Sequence, residues 1–219
     1  ALAVSEGELV ASELGARAQA LRPDWVALLS KLGSVGPVMA LTRNEHAVIE
    51  CVGVYENVEG FGAMGQVVGK AIDLRLFFRR WHAAFAFRAP TLANDSRPSL
   101  QVFDQGGQAL HKVFLTKDSD ESAWRALVAE FQGDAPTFGA APAPEFSPKA
   151  DADVDQSALL EGWQNLNDTH EFTHLIRRLG IARTQALRLA TPEWAQPVAL
   201  GAWRGVLAGA GKHELPVMT

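Results

Sequence analysis

The spacing of hydrophobic positions changes from helical to alternating near residue 33. At the start, Ser5 and Glu8 form a capping box, which predicts a short helix over residues 5–15 that ends at Gly15. Asp24 is placed to cap a second helix over residues 25–33, which ends at Gly33. Beyond it the period becomes two, which is typical of β-strands.

Seven apolar, β-rich runs follow one another without helices between them, and turn residues separate them. The runs are residues 36–44, 46–55, 64–69, 72–78, 82–87, 99–104 and 109–116. The "DQGGQ" segment, residues 104–108, predicts a hairpin turn between the last two strands. Consecutive strands of this kind predict an antiparallel sheet. An amphipathic helix over residues 119–132 follows, with Ser119 or Asp120 as its cap.

Residues 133–155 are rich in Ala, Pro, Gly and acidic residues and show no periodicity. This composition predicts a linker between domains. The segments that follow, to about residue 211, all have helical spacing. We therefore predict an α+β fold with a first helix-plus-sheet module at 1–132, the linker at 133–155, and the helical start of a second module at 156–219.

An internal similarity suggests that the second module repeats the first. The pattern R-x-Q-A-L-R occurs at 17–22 and again at 183–188, and Pro-Val-Met occurs at 37–39 and again at 216–218. The order is the same in both places, which predicts a duplication whose second sheet is missing from this chain. Aligned on these matches, His170 falls opposite Val4 and His174 opposite Glu8. The abrupt ends of the chain suggest that it is part of a longer protein.

Composition narrows the classes of function. The 219 residues carry a formal net charge of −5, so no overall basic field favours nucleic acid. No apolar run approaches the ~20 residues that a membrane span needs. The single cysteine, Cys51, excludes an internal disulfide framework and fits a reducing compartment.

The segment "DTHEFTHL", residues 168–175, contains the H-E-x-x-H spacing of zinc peptidases. A catalytic zinc needs a third protein ligand. The metzincin extension fails here, because Arg177 and Gly180 stand where glycine and histidine would be required. Asp168 with Glu171 three residues later also forms a helix-capping box, which accounts for the glutamate without a metal.

Two further patterns leave only weak indications of a site. "GFGAMG", residues 60–65, matches a dinucleotide-binding pattern but lies between strands, so we interpret it as a loop. Arg75 lies in an otherwise apolar strand and shares a face with Asp73 and Phe77. It is either an ion-pair partner of Asp73 or a cation that points into a cleft. His46, His82 and His111 are interpreted as ordinary sheet residues.

A histidine in a first helical turn near Phe172 and several arginines suits haem as well as it suits an ordinary solvated surface. Haem needs an imidazole for its iron, an aromatic or apolar wall, and cations for its two propionates. Arginine is well suited to bind carboxylates.

Taken together, several motifs resemble the HemS/HmuS/ChuS/PhuS-type bacterial haem-utilisation proteins. They are "VSEGELVAS", "VMALTRNEHAVIE", "IDLRLF", "SLQVFDQGGQALHKVFLT", "AWRALV", "DTHEF" and "RTQALRLA". The resemblance covers nearly the whole chain outside the linker. It implies two similar halves, each with a large antiparallel sheet flanked by helices, that bind one haem in a cleft between them.

The resemblance also implies roles for individual residues. His170 would be the axial ligand of the haem iron, Arg75 would face the opposite side of the haem, and Arg183 would contact a propionate. His174, one turn from His170, would be an alternative ligand. The cofactor would be haem b, iron protoporphyrin IX.

The implied function is a cytoplasmic haem-binding protein that carries haem from an inner-membrane importer to degradation. A haem oxygenase is an expected partner, and nucleic acid and membrane insertion are not expected. The alternative is oxygen-dependent haem degradation by the protein itself. The absence of a flavin or reductase motif favours carriage, and an H-E-x-x-H zinc hydrolase is the remote alternative.

Overall fold

A computed structural model describes residues 4–43, 47–89, 97–140, 146–169 and 171–217. The chain divides into two compact units, residues 1–143 and 144–219. The division falls inside the segment predicted as a linker. His46, His170 and Met218 lie outside the described residues.

The first unit contains nine described strands and three helices. The strands are β1 (Ala18–Leu21), β2 (Val38–Arg43), β3 (Val48–Gly53), β4 (Val58–Phe61), β5 (Met64–Val68), β6 (Asp73–Phe77), β7 (Ala83–Arg88), β8 (Pro98–Phe103) and β9 (Ala109–Leu115). The helices are α1 (Glu6–Ala11), α2 (Trp25–Leu32) and α3 (Glu121–Glu130). The second unit contains α4 (Gln156–Gln164), α5 (Glu171–Leu179), α6 (Arg183–Leu189) and α7 (Ala202–Lys212).

The strands form two antiparallel sheets. A six-stranded sheet has the order β1-β7-β8-β9-β2-β3, and a three-stranded sheet has the order β4-β5-β6. The large antiparallel sheet flanked by helices confirms the predicted α+β class. The predicted hairpin turn at 104–108 is also confirmed, and Gly107 adopts there the positive φ of 77° that favours glycine.

The large sheet is buried on both faces at its centre, where every residue of β8 is buried. One face packs against Leu28, Leu29 and Leu127 from α2 and α3. The opposite face packs against Val10 of α1. This arrangement explains why β8 lacks the hydrophobic-in, polar-out alternation of a strand that faces water on one side.

The capping predictions were confirmed in full at two helices and in position only at a third. Ser5 and Glu8 form the predicted capping box at α1. Asp120 accepts hydrogen bonds from the backbone N–H groups of Ser122 and Ala123 at α3. Asp24 occupies the N-cap position of α2, as predicted, but its side chain makes no capping hydrogen bond.

Four elements differ from prediction. The predicted first helix ends at Ala11 rather than Gly15. Two strands, β1 and β4, were not predicted. Residues 191–196 form a turn rather than a helix, because Pro197 has no N–H to donate and disfavours helical backbone at the preceding residue.

The alignment of the two R-x-Q-A-L-R copies is wrong at the level of structure. Residues 18–21 of the first copy are strand β1, whereas residues 183–188 of the second copy lie in helix α6. Identical side chains therefore occupy different backbone conformations, and the alignment of His170 with Val4 and of His174 with Glu8 loses its basis. The duplication itself stays a prediction.

Candidate functional site

The candidate ligand segment lies at the start of α5 in the second unit. His170 lies outside the described residues, and α5 begins at the next residue, Glu171. The Glu171 carboxylate accepts a hydrogen bond from the backbone N–H of Asn167 at 2.9 Å. The donor is Asn167 rather than the Asp168 N–H of the predicted capping box, so Glu171 satisfies a backbone group just ahead of the helix while the box itself stays a prediction.

Phe172 anchors this helix start in the core of the second unit. Its ring is buried and packs against the ring of Trp163 with 4.6 Å between centroids. Leu175 and Ile176 from the same helix complete the buried face. His174 lies on the exposed side of α5. The core therefore fixes the direction in which the first turn of α5 points.

Arg183 is the first residue of α6, and its side chain extends to the first turn of α5. Its Nη2 donates a hydrogen bond to Thr173 Oγ1 at 3.3 Å. Its guanidinium carbon lies 5.2 Å from the centroid of the Phe172 ring, within the range of a cation–π contact. The structure thus brings Arg183 beside the two residues that follow Glu171, and the guanidinium remains exposed to solvent.

The segment before α4 holds α6 in place. Arg188 donates to both carboxylate oxygens of Asp151, at 2.8 to 3.0 Å, and Gln185 donates to Asp151 Oδ1 at 2.8 Å and to the Lys149 carbonyl at 2.7 Å. The hydrogen bonds from Arg188 and Gln185 lower the pKa of the Asp151 carboxyl, because they stabilise its charged form. Residues 149–151, predicted as linker, therefore pack against the helix that carries Arg183.

Arg75 lies in the first unit, on β6 at the edge of the three-stranded sheet. Its Nη1 donates to Asp73 Oδ1 at 2.7 Å, and both side chains are more than half exposed. Of the two possibilities for Arg75, the structure shows the ion pair with Asp73. An exposed pair of this kind adds little to stability, so the guanidinium can exchange partners at low cost.

The exposed face around Arg75 carries an apolar row that the sequence did not reveal. Phe61 pairs directly with Met64 across β4 and β5, and Met64 pairs with Phe77 across β5 and β6. Directly paired residues share one face of a sheet, and all three side chains here are substantially exposed.

Polar residues form the next row on the same face. It contains Gln66 paired with Glu59 and Arg75, and Gln66 Nε2 donates to a Glu59 carboxylate oxygen at 2.8 Å. We call the two rows together the β4–β6 face. An apolar strip bordered by a cation suits a flat hydrophobic ligand that has a charged edge.

The opposite face of this sheet is packed tightly on the core. A Cβ on Gly60 would lie 2.5 Å from Val26 of α2, and a Cβ on Gly65 would lie 2.5 Å from Phe78. Glycine therefore allows the sheet to approach its neighbours closely on one side. The interpretation of "GFGAMG" as a loop is wrong, because residues 60–61 end β4 and residues 64–65 begin β5, and only residues 62–63 form the turn between them.

The zinc interpretation gains no support from the geometry. Glu171, the residue that would activate a zinc-bound water, is hydrogen-bonded to the backbone of Asn167. The part of the chain that the structure describes contains no cluster of three or more His, Cys, Asp or Glu side chains suited to a metal. Within the same residues, no helix is long and apolar enough to cross a membrane.

The comparisons with known proteins agree with the motifs. Residues 3–131 match the family described as the haemin-degrading HemS.ChuX domain, which is more than half of the chain. The chain belongs to the HemS.ChuX family. The predicted resemblance to the HemS/HmuS/ChuS/PhuS-type haem-utilisation proteins is thereby confirmed.

Several members of this family are close relatives. The chain is 40% identical to the hemin transport protein HmuS of Yersinia pestis over 203 residues. This alignment covers 90% of this chain and 57% of HmuS. The fold matches the crystal structure of holo-PhuS, a heme-binding protein from Pseudomonas aeruginosa, with a TM-score of 0.91 and 48% identity over 96% of this chain and 62% of PhuS. The E. coli heme oxygenase ChuS matches with a TM-score of 0.83 and 31% identity over 96% of this chain and 62% of ChuS.

This chain spans about three fifths of the length of these relatives. Arg183, Phe172 and Thr173 come together in the second unit, whereas Arg75 and the apolar row lie in the first.

Phe61 and Met64 were missed from sequence because β4 was not recognised as a strand. Its short alternation, with Val58 turned inward and Phe61 outward, was the available signal.

Proposed function

We propose that the protein of which this chain forms part binds haem, with His170 as the axial iron ligand. The observation that carries this proposal is the junction of α5 and α6. There, the Arg183 guanidinium lies 5.2 Å from the centre of the buried Phe172 ring, two residues after His170. An imidazole at the start of α5, an aromatic ring beside it and an arginine from the neighbouring helix α6 are the kinds of group that bind haem.

The remaining residues have distinct roles in this proposal. Arg183 binds a propionate, because its guanidinium is exposed and is oriented by Thr173. By the family resemblance, Arg75 would face the opposite side of the haem and would exchange its Asp73 partner for the ligand. The β4–β6 face supplies an apolar surface beside it. His174, one turn from His170, is an alternative iron ligand.

The biological role that we propose is haem trafficking in the cytoplasm. The protein takes haem b from an inner-membrane importer and delivers it to a haem oxygenase. Relatives named as hemin transport proteins support this role. The proposed role involves neither nucleic acid nor insertion into a membrane. Reversible ligation by an exposed helix start suits a protein that must release its cargo.

Haem degradation by the protein itself is a second candidate. Two observations favour it: the family is described as haemin-degrading, and the related ChuS is a heme oxygenase. When bound, haem would supply the iron centre at which oxygen is activated. Within this chain, Arg75 would place a positive charge beside the ligand and the apolar row would exclude water from it.

A haem titration of the full-length protein tests the ligand assignment. We expect His170→Ala to remove the Soret shift or to weaken binding at least about tenfold, equivalent to about 1.4 kcal/mol. His174→Ala should retain binding, and His213→Ala, which changes an exposed histidine at the end of α7, is the matched control. Unchanged binding in His170→Ala would remove this residue as the ligand.

The two candidate functions separate when ascorbate is added to the haem complex under air. Appearance of verdohaem or biliverdin bands would establish degradation. A stable haem spectrum, together with transfer of the haem to an added haem oxygenase, would establish trafficking.

A further inference from the structure

A chain of hydrogen bonds links a buried tyrosine to the surface of the first unit. Tyr55 Oη lies 2.6 Å from His111 Nε2, and His111 Nδ1 lies 3.1 Å from Thr42 Oγ1. Tyr55 and His111 are only 3% and 2% exposed, whereas Thr42 is exposed. This network lies in the core of the large sheet and none of its members belongs to the proposed haem site.

The geometry determines where the protons lie. A buried phenol has one proton to donate, and leaving it without an acceptor would be costly. Tyr55 therefore donates to Nε2, so the neutral imidazole of His111 carries its proton on Nδ1 and donates it to Thr42 Oγ1. Burial lowers the pKa of His111 to about 4, which keeps the ring neutral at pH 7. Both hydrogen bonds of the network, from Tyr55 to His111 and from His111 to Thr42, therefore point from the buried phenol towards the surface.

A second path, made of aromatic rings, leads away from the same histidine. The Trp81 ring is stacked on the His111 ring with 5.9 Å between centroids and 17° between planes. Trp25 meets Trp81 edge to face at 5.4 Å. Both tryptophans are partly exposed. Indole and phenol are the protein side chains that lose a single electron most readily after thiolate, so this row is suited to carry an electron.

We propose that Tyr55 is a redox-active tyrosine, whose electron leaves through Trp81 and whose proton leaves through His111 to Thr42. It is the only tyrosine in the chain. Separate exits for the electron and the proton are what a buried phenol needs, because loss of the electron alone would leave a charged radical in an apolar core.

The step balances as a one-electron oxidation. A one-electron oxidant at the surface oxidises Trp25 or Trp81 to its radical cation, and an electron from Tyr55 then restores the indole. The Tyr55 O–H bond breaks, and its proton forms a new N–H bond at His111 Nε2. Nδ1 releases its own proton to Thr42 Oγ1, which passes a proton to water. The products are a neutral phenoxyl radical, a neutral imidazole, a hydronium ion and the reduced oxidant.

This activity would serve a protein that handles haem, a role that rests on the proposed function. Haem with a peroxide generates one-electron oxidants, and Tyr55 would collect their oxidising equivalents away from the ligand. The chemistry of the network itself does not require haem, so it is tested on the ligand-free protein. A failed haem titration would leave that test unaffected.

The experiment is flash oxidation of the ligand-free full-length protein with a photogenerated ruthenium(III) polypyridyl complex, followed by EPR and transient absorption. The Tyr55→Phe variant distinguishes the Tyr55 radical from that of any other tyrosine in the full-length protein. This variant should lose one tyrosyl signal and retain the tryptophan radicals. Thr42→Val, at an exposed position, should slow formation of that signal by blocking proton exit. Formation in the wild type should also be slower in D₂O.

His111→Gln keeps an acceptor for the phenol but cannot take up its proton, so the Tyr55 signal should be lost while circular dichroism shows a folded protein. Two results would overturn the proposal. One is a radical spectrum of the wild type identical to that of Tyr55→Phe. The other is a Tyr55 radical that forms equally well in Thr42→Val and in D₂O.

Discussion

At the scale of single residues, His111 shows how tertiary packing sets the chemistry of a side chain. Its position in the sequence indicated an ordinary sheet residue, and it does lie on β9. Its neighbours Tyr55 and Thr42 are separated from it by 56 and 69 residues along the chain. No local pattern could have revealed this network.

The buried state of His111 predicts a pH-dependent stability. Burial lowers its pKa from the ordinary 6.5 to about 4, so between these values the unfolded chain binds a proton that the folded protein does not. The free energy of unfolding should therefore fall as the pH falls from 6.5 to 4, by up to about 3 kcal/mol. Urea unfolding of the chain at several pH values measures this loss.

His111→Gln is the control for this prediction. The variant should be less stable at neutral pH, and it should lack the component of the pH dependence that His111 contributes. An unchanged slope of stability against pH in this variant would show that other groups cause it.

Arg75 and Arg183 show what a sequence motif can predict about a residue and what it cannot. The motifs singled out both arginines, the sequence left Asp73 as one of two possibilities for Arg75, and the structure showed the bonds to Asp73 and Thr173. Which partner an arginine holds depends on neighbouring strands and helices, so the motif gives the residue and the fold gives its orientation.

At the scale of elements, the two R-x-Q-A-L-R copies give the clearest lesson. Ala18 and Ala20 in the first copy are buried because β1 pairs with β7 and packs beneath α1. In the second copy, Gln185 and Ala186 are buried on one side of α6. Alanine, glutamine, leucine and arginine have good helix propensity, so the strand in the first unit is imposed by its partner strand.

The three-stranded sheet gives a prediction at the same scale. A Cβ at Gly65 would lie 2.5 Å from the ring of Phe78, which is buried. We expect Gly65→Ala to lower the free energy of unfolding by about 1–3 kcal/mol, because the ring must move within a packed core. Chemical denaturation of the first unit measures the effect.

Gly139→Ala is the matched control for Gly65→Ala, because the nearest atom to its added Cβ is 3.9 Å away. Its effect should stay within about 0.5 kcal/mol. Equal stability of the two variants would show that the β4–β6 sheet adapts to a side chain at its packed face.

At the scale of the whole molecule, the cores of the two units differ in size. Among the described residues, the first unit has two buried clusters that together involve both faces of the large sheet. The second unit has one cluster, formed by Leu159, Phe172, Leu175, Ile176, Ile181 and Ala186. A core of this size supplies little stabilisation by itself.

This difference predicts unequal protection from hydrogen exchange in this chain. The backbone amides of α4, α5 and α6 should exchange faster than those of β7, β8 and β9, because the smaller core opens at lower free energy. Hydrogen-exchange mass spectrometry on the isolated chain compares them directly. Equal protection of the two sets would mean that the second unit is as stable as the sheet.

The sequence by itself determined the features that depend on neighbouring residues: the helix caps at Ser5 and Asp120, most strands of the large sheet, the hairpin turn at 104–108 and the family motifs. Tertiary structure alone decided the features that join distant segments. These are the strand conformation of residues 18–21, the apolar row of Phe61, Met64 and Phe77, the contact of Arg183 with Phe172, and the hydrogen bond between Tyr55 and His111. The reason is physical: caps and alternation are set by local backbone geometry, whereas pairing and burial depend on which surfaces meet when the chain folds.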